Sequence, residues 1–89
     1  NITYITTIFE KKKDIVNISV DIIVDRDNIK RIIIGKNGSR LKTVGTLART
    51  EIESELVGKK VYLELFVKTI KNWKDKEKYL VELGFIDNE

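Results

Sequence analysis

The sequence predicts an α+β domain, a three-stranded mixed sheet with helices packed on one face. Three observations carry this. Apolar residues alternate with a period of two near the start of the chain and again near residue 60, as they do in half-buried strands. Between those segments they recur at i, i+3 and i+4, the helical spacing. The second and third strands are therefore joined through helices, and a right-handed crossover sets such strands parallel and adjacent. Eighty-nine residues suffice for one small domain.

Each element has its own warrant. Ile2–Phe9 is rich in Ile, Thr, Tyr and Phe, the strand-favouring types. Glu10–Asp14 is wholly charged and reads as a hairpin turn. A second strand spans Ile15–Val24, with Ile18, Val20, Ile22 and Val24 on one face and Asn17, Ser19 and Asp21 on the other. Asp27 or Asn28 is the expected cap of a short helix through Ile29, Ile32 and Ile33, because both side chains accept from free helix N–H groups. Gly35 stops that helix. A longer helix begins near Ser39, holds Leu41, Val44, Ala48, Ile52 and Leu56 on one face with Leu47 alongside, and ends at Gly58. The third strand covers Lys60 to about Ile70, with Val61, Leu63, Leu65 and Val67 facing one way and Tyr62, Glu64, Phe66 and Lys68 the other. Asp75 is the expected cap of a final helix carrying Tyr79, Leu80 and Leu83, closed by Gly84.

Composition removes several function classes. With 42% hydrophobic and 35% charged residues, no proline and five glycines, the chain is neither collagen-like nor low-complexity. It has no cysteine and no histidine, hence no disulfide framework, no thiolate or imidazole chemistry and no zinc site of the usual ligands. No apolar run reaches the roughly 20 residues of a membrane span, and no signal-peptide pattern opens the chain. The sequence opens at Asn1 and has no methionine, which reads as a fragment or a processed chain.

The net charge of +3 is unevenly spread. Lys30, Arg31, Lys36, Arg40, Lys42 and Arg49 fall in a stretch without an acid, while Asp21, Asp25 and Asp27 precede it and Glu51, Glu53 and Glu55 follow it. Such segregation makes a local positive field, the feature that matters for polyanions. The Lys11-Lys12-Lys13 run sits at the hairpin turn and reads as solvated surface.

At the centre of the basic stretch lies Ile32-Ile33-Ile34-Gly35-Lys36-Asn37-Gly38-Ser39, a Gly-x-x-Gly loop between two helices. Its glycines let the backbone turn sharply and clear side chains where another backbone must approach. It runs into a helix N-terminus, whose open N–H groups and dipole attract phosphate. The candidate contacts for a single-stranded nucleic-acid backbone are Gly35, Lys36, Asn37, Gly38 and Ser39, with Ile33 and Ile34 as an apolar floor for unstacked bases, and Arg40 and Lys42 for the field. Ser39 reads as a helix cap with a phosphate contact; it has no neighbour to activate it as a nucleophile. Gly45 reads as close packing against the first helix, with approach of RNA as the alternative. Trp73, Tyr79 and Phe85 read as core anchors before stacking platforms. Glu51, Glu53 and Glu55 read as solvated, with Arg49 placed to pair with Glu53 at i, i+4.

A Gly-x-x-Gly loop behind a hairpin and ahead of a parallel strand resembles a KH domain, the RNA-binding module whose loop clamps about four nucleotides. Strands ahead of the two-helix unit point to its type II arrangement. The run from Ile32 to Lys42, Gly45-Thr46-Leu47-Ala48-Arg49, Gly58 to Leu65, Val67-Lys68, Trp73 and Tyr79-Leu80-x-x-Leu83-Gly84-Phe85 together resemble the C-terminal KH domain of the Era family of GTPases. That resemblance implies one KH domain over 1–89, starting after the helix that opens the family's domain and leaving an apolar patch exposed.

It further implies binding of single-stranded RNA near the three-prime end of small-subunit ribosomal RNA, in ribosomal-subunit maturation. The partners implied are that RNA, the small subunit and a GTPase domain in cis, in a monomer of the cytoplasm or an organelle. Peripheral membrane contact is compatible with it. GTP and Mg are expected only in the GTPase domain, and no cofactor in this chain. Gly-x-x-x-x-Gly-Lys-Ser/Thr is absent here, since Lys30 stands where the upstream glycine should be and Asn37 follows Lys36, so the chain itself is expected to be no enzyme. The alternatives are a protein-docking domain working through the Tyr62 and Phe66 face, or a KH domain of another ribosome- or transcription-associated protein.

Overall fold

The structure is a computed structural model, and it describes residues 2–75. Strand β1 (Ile2–Lys11), strand β2 (Ile15–Val24), helix α1 (Asp27–Ile34), a 3-10 turn (Lys36–Gly38), helix α2 (Ser39–Glu55) and strand β3 (Lys60–Thr69) follow in that order. The sheet order is β1-β2-β3, with β1 antiparallel and β2 parallel to β3. This is the mixed topology expected of a hairpin followed by a helical crossover.

The hairpin turn is tighter than the charge run suggested. Strand pairing carries β1 through Lys11 opposite Val16, and Lys12 N–H donates to the Ile15 carbonyl at 2.8 Å. Charged side chains do not stop a strand whose backbone pairs and whose side chains reach water. Lys59 fastens this turn from across the sheet, its ammonium donating to the carbonyls of Lys12 (2.8 Å) and Lys13 (2.7 Å). In β1 the register shifts between Thr6 and Ile8, a bulge at Thr7. The extra residue flips the alternation, so Ile5 and Ile8 lie on the same face.

Helices α1 and α2 cover β2 and β3. Beneath α2, Val16, Ile18 and Val61 form a buried cluster, with Val20, Leu63, Ile52 and Leu56 packed on it. The face of β1 on the helix side stays open, leaving Ile2, Tyr4 and Phe9 exposed. A second cluster lies on the opposite face, where Trp73, only 6% exposed, packs with Ile5, Ile23 and Ile70. Trp73 is thus a core anchor, as expected.

Several local expectations are corrected. Arg26 occupies the N-cap of α1 in extended conformation with no side-chain cap bond, and Asp27 is instead the acidic residue of the first turn. There a carboxylate still complements the helix dipole. In α2, Val44 and Leu47 are exposed, Leu47 by 66%. The packed stripe runs through Leu41, Gly45, Ala48, Ile52 and Leu56 instead. The helix ends at Glu55 with Leu56 as its C-cap, and Gly58 serves the following turn at φ +81°. Residues 73–75 are already helical, after Asn72 at φ +57°, so Asp75 sits inside that first turn and does not cap it. The rest of the expected final helix, with Tyr79, Leu80, Leu83, Gly84 and Phe85, lies outside the described residues.

Candidate nucleic-acid interface

The loop is assembled around three residues with positive φ, Gly35, Asn37 and Gly38, framed by two helix ends. Gly35 closes α1 at φ +75°, ψ 177°, its N–H donating to the Arg31 carbonyl at 2.9 Å. That combination is one essentially only glycine adopts. A Cβ there would lie 2.7 Å from the Arg40 Cβ and 3.0 Å from the Arg40 nitrogen. Position 35 thus needs glycine twice, for its dihedrals and for the close approach of α2. Asn37 (φ +54°, ψ 28°) and Gly38 (φ +76°, ψ 9°) are left-handed. Asparagine is among the few side-chain-bearing residues that accept this region readily. Gly38 N–H closes the turn on the Gly35 carbonyl at 3.2 Å.

This backbone pushes Lys36 and Asn37 into solvent at the loop tip, while Gly35 and Gly38 stay half-buried. Ser39 corrects its expected role. Its backbone is helical (φ −63°, ψ −39°), the N-cap is Gly38, and no side chain caps α2. The hydroxyl of Ser39 remains exposed beside the helix start. The first turn of α2 carries no acid, so its open N–H groups keep their positive potential.

Ile33 and Ile34 are half-buried at the end of α1, whereas Ile32 is exposed. Together they leave an apolar ledge next to the loop. Arg40 and Lys42 are exposed on the first turn of α2. Among the described residues none of Lys36, Arg40 and Lys42 forms an ion pair, so their charge is available to an incoming anion. Arg49 differs, since its guanidinium lies 3.7 Å from the Glu53 carboxylate. That is the i, i+4 pairing expected of it.

Two expectations about α2 change. A Cβ on Gly45 would meet Leu65 Cδ1 of β3 at 3.6 Å, an ordinary contact, so Gly45 packs on the sheet and not on α1. Glu53 is not merely solvated, because its carboxylate also accepts the Val61 N–H at 2.9 Å. It ties the end of α2 to the start of β3, a role with no signal in sequence spacing. Among the described residues no group of carboxylates could hold a metal ion.

The comparisons with known proteins bear on the chain as a whole. A family model described as KH domain matches residues 2–74. Proteins called GTPase Era are similar to the chain, from Mycobacterium avium at 50% identity and from Mycobacterium tuberculosis at 49%. Each match runs over 85% of the chain and 25% of the relative. The chain therefore spans about a quarter of the length of these relatives, matching their C-terminal part. Two solved structures superpose with a TM-score of 0.80 at 39% identity, over 97% of this chain and 29% of theirs. One is a variant of Aquifex aeolicus Era bound to GDP.AlF4-; the other is Era in complex with MgGDPNP and nucleotides 1506-1542 of 16S ribosomal RNA.

Proposed function

The chain belongs to the KH domain family, and from that premise we propose that it is the single-strand RNA-binding module of an Era-type GTPase. Its target is the three-prime region of small-subunit ribosomal RNA, and its task lies in maturation of that subunit. One observation carries the reading. The Gly35–Gly38 loop holds Lys36 and Asn37 in solvent, beside an acid-free helix start and a half-buried Ile33–Ile34 ledge. The complex of Era with a 16S ribosomal RNA fragment supports the same RNA for this chain.

The geometry acts as a clamp. The RNA backbone passes over Gly35 and Gly38, where no side chain stands in the way. Lys36 meets one phosphate as a point charge and Asn37 offers an amide donor. Bases that leave their stack rest on Ile33 and Ile34, in a groove between the loop and β3. Ser39 lends a hydroxyl to a phosphate, and Arg40 and Lys42 raise the local potential without choosing a sequence. GTP and Mg belong to a GTPase domain in cis, and this segment performs no catalysis of its own. The module works as a monomer in the cytoplasm or an organelle, where peripheral membrane contact is compatible with it.

Fluorescence anisotropy with labelled single-stranded and duplex RNA tests this, using the chain and its Lys36→Asp/Asn37→Asp variant. The expected result is tighter binding to the single strand, lost in the variant while the circular dichroism spectrum persists. Equal binding by both proteins would remove the loop from the interface.

A further inference from the structure

The sheet face turned away from α1 and α2 has a different chemistry from the loop side. By register it carries three carboxylates, Glu10, Asp21 and Glu64, against two ammonium groups, Lys60 and Lys68. Lys68 is already engaged, its Nζ 2.7 Å from Asp21. Asp21 is only 7% exposed on the central strand. Over that ion pair runs a shallow groove of about 390 Å³, bordered by Ile8 of β1 and by Glu64 and Phe66 of β3.

Glu64 stands midway along β3 on this face, beside Ser19 of the central strand. Its carboxylate accepts only a 3.5 Å contact from the Ser19 hydroxyl and forms no ion pair among the described residues. Tyr62 and Phe66 flank it on the same side of β3, exposed by 53% and 48%. At the strand rise they lie about 13 Å apart. A free carboxylate between two exposed aromatic rings repels phosphate, so this row is no extension of the RNA surface. It matches a planar cation. A guanidinium can take both oxygens of a carboxylate while lying against an aromatic ring.

We infer that the part of this sheet face that the described residues leave uncovered, beyond the Trp73 cluster, docks a basic, arginine-bearing segment of a partner protein, with Glu64 as the anionic anchor and Tyr62 and Phe66 as the stacking surfaces. The Asp21–Lys68 pair keeps the groove floor neutral, so that the incoming cation is drawn to Glu64. The loop lies on the other side of the sheet. RNA and the basic segment therefore occupy one chain at the same time, and this inference stands independently of the clamp.

The test is an NMR titration of the full chain, isotopically labelled, with an eight-residue peptide of alternating glycine and arginine, and separately with its glycine–glutamate counterpart. The expected result is that only the arginine peptide shifts the resonances of Asp21, Glu64 and Phe66, leaving Lys36 to Lys42 unmoved. Glu64→Gln should weaken that binding about tenfold, the loss of one charge-assisted pair. Phe66→Ala should weaken it about two- to fivefold, the loss of one exposed cation–π contact. Lys36→Asp should leave it unchanged. Shifts centred on Glu51 and Glu55, equal affinity in the Glu64→Gln variant, or no shifts at all would overturn the proposal. So would a titration with single-stranded RNA that maps to Phe66. An RNA titration that fails to move the loop would instead remove the clamp, leaving the docking face as it stands.

Discussion

Gly35 and Gly45 show how differently two glycines can be required. At Gly35 the dihedrals (φ +75°, ψ 177°) and the 2.7 Å approach of a built Cβ to the Arg40 Cβ both exclude a side chain. The obstacle is the root of α2, which cannot swing aside. Gly35→Ala should therefore cost roughly 1–3 kcal/mol and displace the loop, with RNA binding lost. Urea denaturation and anisotropy on the same variant read both. Gly45 sits inside α2 with an unexceptional backbone, and a methyl group would touch Leu65 Cδ1 at 3.6 Å. Gly45→Ala should raise stability by up to about 1 kcal/mol, the helix-propensity difference, and leave RNA affinity unchanged. A fall in affinity with the fold intact would mean that RNA approaches α2 there.

Element α2 shows where sequence patterning succeeds and where it stops. Leu41, Ala48, Ile52 and Leu56 were legible as its packed stripe because the 3.6-residue period depends only on spacing. Val44 and Leu47 carry the same kind of side chain but fall on the flank beyond the reach of the sheet. Only the placement of α2 over β2 and β3 separates them. The order of strands and helices and the Gly-x-x-Gly loop were readable for the same reason, being local. Caps were not, since the start of α1 is set by where β2 releases the chain, which leaves Arg26 at the cap. The bond from the Val61 N–H to Glu53 (2.9 Å) joins residues whose meeting depends on the turn after α2. Glu53→Ala should orphan that part-buried N–H and release Arg49, costing about 1–3 kcal/mol. Glu51→Ala and Glu55→Ala, both on exposed positions, should stay within about 0.5 kcal/mol. The urea midpoints of the three variants, compared side by side, check it.

At the scale of the molecule the domain is a slab, 40 × 35 × 15 Å with a radius of gyration of 14.3 Å, against about 12 Å for a compact chain of this length. One sheet with helices over two of its strands leaves two broad sides, and the charges divide between them. Lys30, Arg31, Lys36, Arg40 and Lys42 gather around the α1–α2 junction, while the opposite side carries Glu10 and Glu64 against Lys60, none of the three in an ion pair among the described residues. The clamp proposed for the loop side thus predicts an affinity that depends on salt. If Lys36, Arg40 and Lys42 neutralise about three phosphates, the single-strand slope of about 0.7 per phosphate predicts roughly a 15–20-fold loss of affinity between 50 and 200 mM salt. Lys42→Gln should weaken binding to every single-stranded sequence alike and lower the slope by about 0.7, because a phosphate contact carries no base information. Anisotropy titrations at four salt concentrations decide it. An affinity that does not change with salt would mean that the basic cluster is not where RNA binds.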